Sequence, residues 1–216
     1  MLGLYVHIPF CAQKCRYCDF LSFGGASGGD MAEYLSLLLA EIDLLPKQGG
    51  ALSSVFIGGG TPSLLLCGDI PRILSKVGEN YDLSGAEITA EANPGTLDEA
   101  KLAAWRRAGV NRLSLGLQSM DDAELKRLGR IHSERQAVAA FELARKAGFE
   151  NINVDMMYGI PGQTESSCLS SLEKVVKLNP GHISFYSLIL EEGTLLYNDV
   201  SSGKEELPDE DEAANM

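Results

Sequence analysis

Leu4-Tyr5-Val6-His7-Ile8-Pro9-Phe10 runs straight into Cys11-Ala12-Gln13-Lys14-Cys15-Arg16-Tyr17-Cys18. The first run reads as a strand, and the second as a loop carrying three thiols at C-x3-C-x2-C spacing. Thiolates this close in sequence can converge on one soft metal centre, either zinc or iron–sulfur. A structural zinc site needs a fourth ligand, and His7 is the only near candidate. Three cysteines instead leave one iron of a four-iron cluster without a protein ligand, open to a small molecule that can receive an electron there. Three of the five cysteines fall within these eight residues, which chance explains poorly. The spacing ranks iron–sulfur above zinc.

Outward from this loop the chain repeats one unit. Residues 23–29 are a Gly-rich connector. Asp30 is placed to cap the next helix, which carries Tyr34, Leu35, Leu38, Leu39 and Ile42 at helical spacing and is ended by Pro46 and Gly49-Gly50. Residues 53–57 read as a short buried strand stopped by Gly58-Gly59-Gly60-Thr61-Pro62. Helix 69–78 then leads to strand 86–91, and helix 98–107 to strand 111–117. Helical segments within 121–147 lead to strand 151–157, and helix 165–177 to strand 182–189. Strands separated by helices in this way imply a parallel sheet covered by helices. A complete eight-unit barrel needs about 250 residues. The 216 residues here fit an α/β fold with a partial (βα)6 barrel; a doubly wound sheet is the runner-up.

Composition narrows the class. A 45% hydrophobic chain of this length can bury a substantial core, and no run of about 18 apolar residues spans a membrane. The N-terminus lacks the basic and apolar regions of a signal peptide, so a cytoplasmic location is expected. An odd number of clustered cysteines suits a reducing compartment better than a disulfide framework. Net charge is −12, but residues 191–216 hold nine acids and one lysine. The body is nearly balanced and gives no nucleic-acid footprint. The expected organisation is a barrel domain over 1–190, then an acidic linker and the start of a helix over 191–216. Pro208 and the acids after it open that helix, which stops without a C-cap. The chain reads as a fragment lacking its last covering helix.

In a parallel barrel, functional groups gather at the C-terminal ends of strands. The three glycines of 58–60 permit close backbone approach to a polar ligand; alone, they also suit a plain tight turn. Glu91, among apolar strand residues in Ile88-Thr89-Ala90-Glu91-Ala92-Asn93-Pro94-Gly95, needs a donor, either a ligand or a neighbouring arginine. Arg130, in Leu128-Gly129-Arg130-Ile131-His132-Ser133, can grip a carboxylate bidentately or stand solvated in a turn. Tyr17 lies between two thiols and is too constrained to be ordinary core. Cys67 and Cys168 sit beside apolar neighbours and read as inert core thiols. Thr164 should cap the helix that follows Gly159-Ile160-Pro161-Gly162-Gln163.

Tyr5-Val6-His7-Ile8-Pro9-Phe10-Cys11 and the triad after it resemble the radical S-adenosylmethionine (SAM) proteins of the HemN and HemW type, oxygen-independent coproporphyrinogen III oxidases and related heme chaperones. The resemblance extends along almost the whole chain. It implies that Cys11, Cys15 and Cys18 hold a [4Fe-4S] cluster, with SAM on the fourth iron, inside an open six-unit barrel followed by a C-terminal domain. It places Gly59, Gly60 and Thr61 against the methionine part of SAM, and Tyr5 and Tyr17 beside the cluster and adenine. Glu91, Gln118, Arg130 and Asp155 line the SAM site, and His7 shapes the loop rather than binding metal.

Those oxidases carry a fourth cysteine two positions after the third, where this chain has Phe20, and a longer segment ahead of the cluster. Both differences favour the chaperone branch. The implied function is a cluster- and SAM-binding heme chaperone that delivers heme to an acceptor protein. The alternative is a coproporphyrinogen III oxidase. Either needs an electron donor, and heme or a porphyrinogen as cargo or substrate. A structural zinc protein would leave the glycine loop, Glu91 and Gln118 without a shared purpose.

Overall fold

The computed structural model describes residues 2–45 and 50–216. Strand β1 (Gly3–Ile8) is followed by two short strands, β2 (Phe10–Cys11) and β3 (Phe23–Gly24), that bracket the cysteine loop. Helix α1 (Gly28–Leu44) leads to β4 (Ser54–Gly59) and a 3-10 turn, Pro62–Leu64. Then come α2 (Asp69–Gly78), β5 (Glu87–Ala92), α3 (Glu99–Arg107) and β6 (Arg112–Gln118). After α4 (Asp122–Arg127) and α5 (Glu134–Lys146) come β7 (Asn151–Tyr158), α6 (Glu165–Lys177) and β8 (His182–Ser187). Helices α7 (Leu195–Ser201) and α8 (Glu210–Asn215) lie within the acidic stretch.

Six strands pair in the order β1-β4-β5-β6-β7-β8, every neighbour parallel. Spatial order follows chain order throughout. A doubly wound sheet must reverse its order at a switch point, so that runner-up is excluded and the partial barrel stands. Side chains alternate between the two faces of each strand. Val6 and Ile8, Val55 and Ile57, Leu113 and Leu115, and Ile152 and Val154 are sealed in one core with Leu35, Ile73, Trp105, Phe141 and Val175 of the helices. Tyr5, Glu91 and Asp155 occupy the alternate positions on β1, β5 and β7, on the concave face. Burying each large apolar side chain contributes about 1.5–3 kcal/mol, so the convex face stabilises the fold and the concave face is free to carry polar groups.

Local signals mostly act as expected, with two differences. The N-cap of α1 is Ser27, not Asp30; Asp30 is its capping-box partner, accepting from the Ser27 backbone at 2.8 Å. A helix start offers two positions for an oxygen acceptor, three residues apart. Thr164 does cap α6. Cys168 is buried, but Cys67 is exposed, because it falls in the turn ahead of α2 rather than on its apolar face. The helix-ending residues Pro46 and Gly49 lie outside the described residues. Among the described residues no helix is long and apolar enough to cross a membrane.

Candidate metal and ligand site

The cysteine loop is built from backbone contacts. Phe23 N–H donates to the Pro9 carbonyl at 2.8 Å and Gly25 N–H to the Cys11 carbonyl at 3.2 Å, so the loop leaves and returns beside β1. A tight turn sets Cys18 over Cys15, N to O at 3.2 Å. The glycine loop after β4 lies against its base: Gly60 and Thr61 N–H groups donate to the Ile8 and Phe10 carbonyls at 2.8 and 2.7 Å. A Cβ on Gly60 would stand 2.6 Å from the Phe10 oxygen, and one on Gly59, whose φ is +114°, would stand 2.5 Å from the His7 ring. Glycine is required at both positions.

His7 completes the loop from below. Its Nε2 lies 2.8 Å from the Leu21 carbonyl and must donate there, so Nδ1 accepts from the Tyr5 hydroxyl at 2.8 Å. With both nitrogens engaged, His7 has no lone pair for zinc. Among the described residues no three His, Cys, Asp or Glu side chains converge on a single-ion position. A four-iron cluster distributes its thiolates over separate irons and needs no such convergence.

The sulfurs face hydrogen-bond donors. Arg130 Nη1 lies 3.5 Å from Cys15 Sγ, and Thr61 Oγ1 lies 3.6 Å from Cys11 Sγ. Such donors stabilise negative charge on ligated sulfur. Arg130 also spans to Asn93 Oδ1 at 2.6 Å and the Gly116 carbonyl at 2.5 Å, while its Nε is buried without a partner among the described residues. An orphaned N–H on the guanidinium that reaches Cys15 is what an anionic group bound there would satisfy. A small cavity lined by Cys15, Thr61, Asn93 and Arg130 opens beside it. Donor set, orphaned N–H and glycine cradle fit a [4Fe-4S] cluster with a ligand that carries a carboxylate.

The strand ends supply the remaining groups. Glu91 accepts from Gly59 N–H at 3.0 Å. Burial, with Asp155 adding repulsion, pushes its carboxyl up to about 7. Asp155 accepts from Ser114 Oγ at 2.9 Å and Asn153 Nδ2 at 2.8 Å. Gln118 ends β6 at φ +69°, where the register with β7 slips between Gly116 and Gln118. A non-glycine residue held there stores strain typical of functional positions. The bulge turns its side chain to accept from Tyr186 Oη at 2.8 Å.

Tyr5 is exposed at the rim, 56% accessible, and its hydroxyl pKa is raised by burial of the group and by Glu91. Tyr17 packs against the cluster of Leu128, Met157 and Ile160, so it is in part a core residue after all. Its hydroxyl is held protonated, chiefly by burial. Hydrogen bonds thus bring Thr61 to Cys11, Arg130 to Cys15 and Glu91 to Gly59, with Asp155 close enough to Glu91 to repel it, whereas Cys67, Cys168 and Thr164 lie on the helical side, away from these contacts. Sequence reasoning passed over Asn93, Arg16 and Tyr186. Asn93 stood inside a quoted motif, and its place two residues after Glu91 at a strand end was the available signal. The other two make their contacts over long sequence separations and left none.

Comparison with known proteins agrees with this geometry. The Radical SAM superfamily model matches residues 5–175. "Heme chaperone HemW" of Escherichia coli (strain K12) is 42% identical over 213 residues, 97% of this chain and 55% of that protein. "Radical S-adenosyl methionine domain-containing protein 1, mitochondrial" of Bos taurus is 40% identical over 217 residues, 99% of this chain and 49% of the relative. The chain therefore spans about half the length of the curated relatives it matches. Among solved structures, coproporphyrinogen III oxidase (HemN) from Escherichia coli, described as a radical SAM enzyme, superposes with a TM-score of 0.88 at 30% identity, over 99% of this chain and 50% of that one. With the family match running from β1 into α6 over a sequential parallel sheet, this chain belongs to the radical SAM superfamily, whose cofactors are a [4Fe-4S] cluster and SAM.

Proposed function

We propose that this chain is the cluster- and SAM-binding half of a heme chaperone working in the cytoplasm, with Cys11, Cys15 and Cys18 as the cluster ligands. The observation that carries the site is the placement of Arg130 and Thr61 donors on two of the three sulfurs. A [4Fe-4S] cluster held by Cys11, Cys15 and Cys18 would supply one-electron reducing chemistry to a SAM bound beside it. The chain's own residues bind and orient. The carbonyls of the strained loop at Gly59 and Gly60 offer acceptors to an α-ammonium, and the free Nε of Arg130 offers a donor to a carboxylate. Glu91 keeps one oxygen on Gly59 and the other for a ligand donor. Gln118 and Asp155 close the concave side, with Tyr5 and Tyr17 flanking the loop.

The heme-chaperone reading draws on the relatives of that name at about 40% identity, with heme as cargo, an electron donor and a heme acceptor as partners. Coproporphyrinogen III oxidation is the second reading, favoured by the close superposition on HemN. Against it stands Phe20, 70% exposed, where the oxidases resembling this chain have a further cysteine. The test is anaerobic: full-length protein, reductant, SAM and coproporphyrinogen III, with porphyrins resolved by chromatography, beside a heme titration. Heme binding without turnover supports the chaperone; catalytic formation of protoporphyrinogen IX overturns it.

A further inference from the structure

Asn93 stands between the two side chains that reach the cluster thiols. Arg130 Nη2 lies 2.6 Å from Asn93 Oδ1. Arginine only donates, so the amide oxygen must face it, and this fixes the amide's orientation. Asn93 Nδ2 then points at Thr61 Oγ1, 2.9 Å away. A hydroxyl that accepts from the amide keeps its single proton for another acceptor, and Cys11 Sγ lies 3.6 Å from it. Asn93 is itself anchored: its N–H donates to Ser63 Oγ at 3.2 Å and its carbonyl accepts from Thr96 Oγ1 at 2.6 Å. Buried Lys101 ties the same turn together, its ammonium shared between the Ser63 and Thr96 carbonyls. The amide thus sits on a fixed base and decides where the Thr61 proton goes.

We propose that Asn93 is a positioning residue for the cluster: by aiming the Thr61 hydroxyl at Cys11 and bracing Arg130 on Cys15, it sets the hydrogen bonding of two ligand sulfurs and so the cluster's reduction potential. The proposal rests on the reading of Cys11, Cys15 and Cys18 as ligands. Hydrogen bonds to cluster sulfurs stabilise the extra negative charge of the reduced state and raise the potential. Asn93→Asp is nearly isosteric and inverts the donor. Its carboxylate still accepts from Arg130 but also takes the Thr61 proton, which leaves Cys11 without that bond.

The experiment is an anaerobic redox titration of the reconstituted protein, with iron and sulfide measured for every variant. About four irons in the wild type test the ligand reading by itself, and a wild type without them sinks that reading before Asn93 is reached. Given a loaded wild type, N93D should hold the same iron and titrate at a lower potential. In a Thr61→Val background, which has no hydroxyl to redirect, adding N93D should lower the potential by much less. Asn93→Ala, which removes the amide without adding charge, should give a smaller drop than N93D. An unchanged potential in loaded N93D or N93A overturns the proposal. So does an equal N93D shift with and without the Thr61 hydroxyl, which would be a plain charge effect. Loss of iron from both variants also contradicts it, since Asn93 would then be needed for assembly rather than tuning.

Discussion

Arg16 and Asp199, 183 residues apart, form an ion pair that ties the cysteine loop to α7. The clamp has two jaws. On one side Arg16 N–H donates to the Leu128 carbonyl at 3.0 Å and Nη1 to the Arg127 carbonyl at 3.0 Å. On the other, Leu196 N–H donates to the Arg16 carbonyl at 2.8 Å and Glu205 stands 3.5 Å from Nη1. The residue between Cys15 and Tyr17 is thereby fixed in backbone and side chain, and with it the spacing of the thiols. The acidity concentrated near the end of this chain has at least this local use.

Asp199→Ala should loosen that clamp. Both side chains are mostly buried, at 22% and 19% exposure, so removing the acid takes the partner from Arg16 Nη2, while Nη1 keeps Arg127 and Glu205, and should cost about 1–3 kcal/mol. For a chain of this size the melting temperature falls by about 2–4 °C per kcal/mol. Iron should also pass faster to a chelator from the reconstituted variant. Unchanged melting and unchanged chelation would show the pair to be idle.

Glu91 predicts a pH dependence of stability in the cluster-free chain. Its carboxyl is raised from 4.5 to about 7 by burial, so folding favours the protonated form. The stability it contributes is fully present below about pH 4.5 and is lost as pH rises through about 7, with a slope of up to about 1.4 kcal/mol per pH unit. Glu91→Gln keeps an acceptor for Gly59 and removes the charge. Urea melts at pH 5 and pH 8 should show the variant gaining on the wild type at the higher pH. Parallel curves would contradict the buried placement.

Gly59→Ala tests the glycine loop. Its φ of +114° and the His7 ring 2.5 Å from a Cβ combine backbone strain with overlap, together about 2–4 kcal/mol. Gly25→Ala is the control: its φ of +74° is also positive, but a Cβ there meets nothing within 4 Å, so only the backbone cost of about 1–2 kcal/mol remains. Equal destabilisation of the two would mean that the loop does not press on His7.

The sheet was legible because apolar strand cores such as those around Val55, Leu113 and Val154 are separated by capped, amphipathic helices. Spacing alone could not order the strands; sequential pairing did. The cysteines and the glycine loop were legible because their chemistry is local. Gln118 was legible as a position but not as a strained one, since nothing about a glutamine announces a φ of +69°. Asn93 and Arg16 act through partners 32 to 183 residues distant, and such pairings are set by tertiary packing. Cys67 looked like core because its neighbours are apolar, yet a turn directs it outward.

The most direct test of the account is the electron paramagnetic resonance spectrum of the reduced, anaerobically reconstituted chain before and after addition of SAM. Iron content should be about four per chain, should be lost on replacing Cys11, Cys15 or Cys18 with Ala, and should be retained in Cys67→Ala and Cys168→Ala. The spectrum should change when SAM is added, and in Glu91→Ala the change should weaken while the iron stays. Stoichiometric zinc without sulfide, or a four-iron spectrum identical with and without SAM, would contradict it.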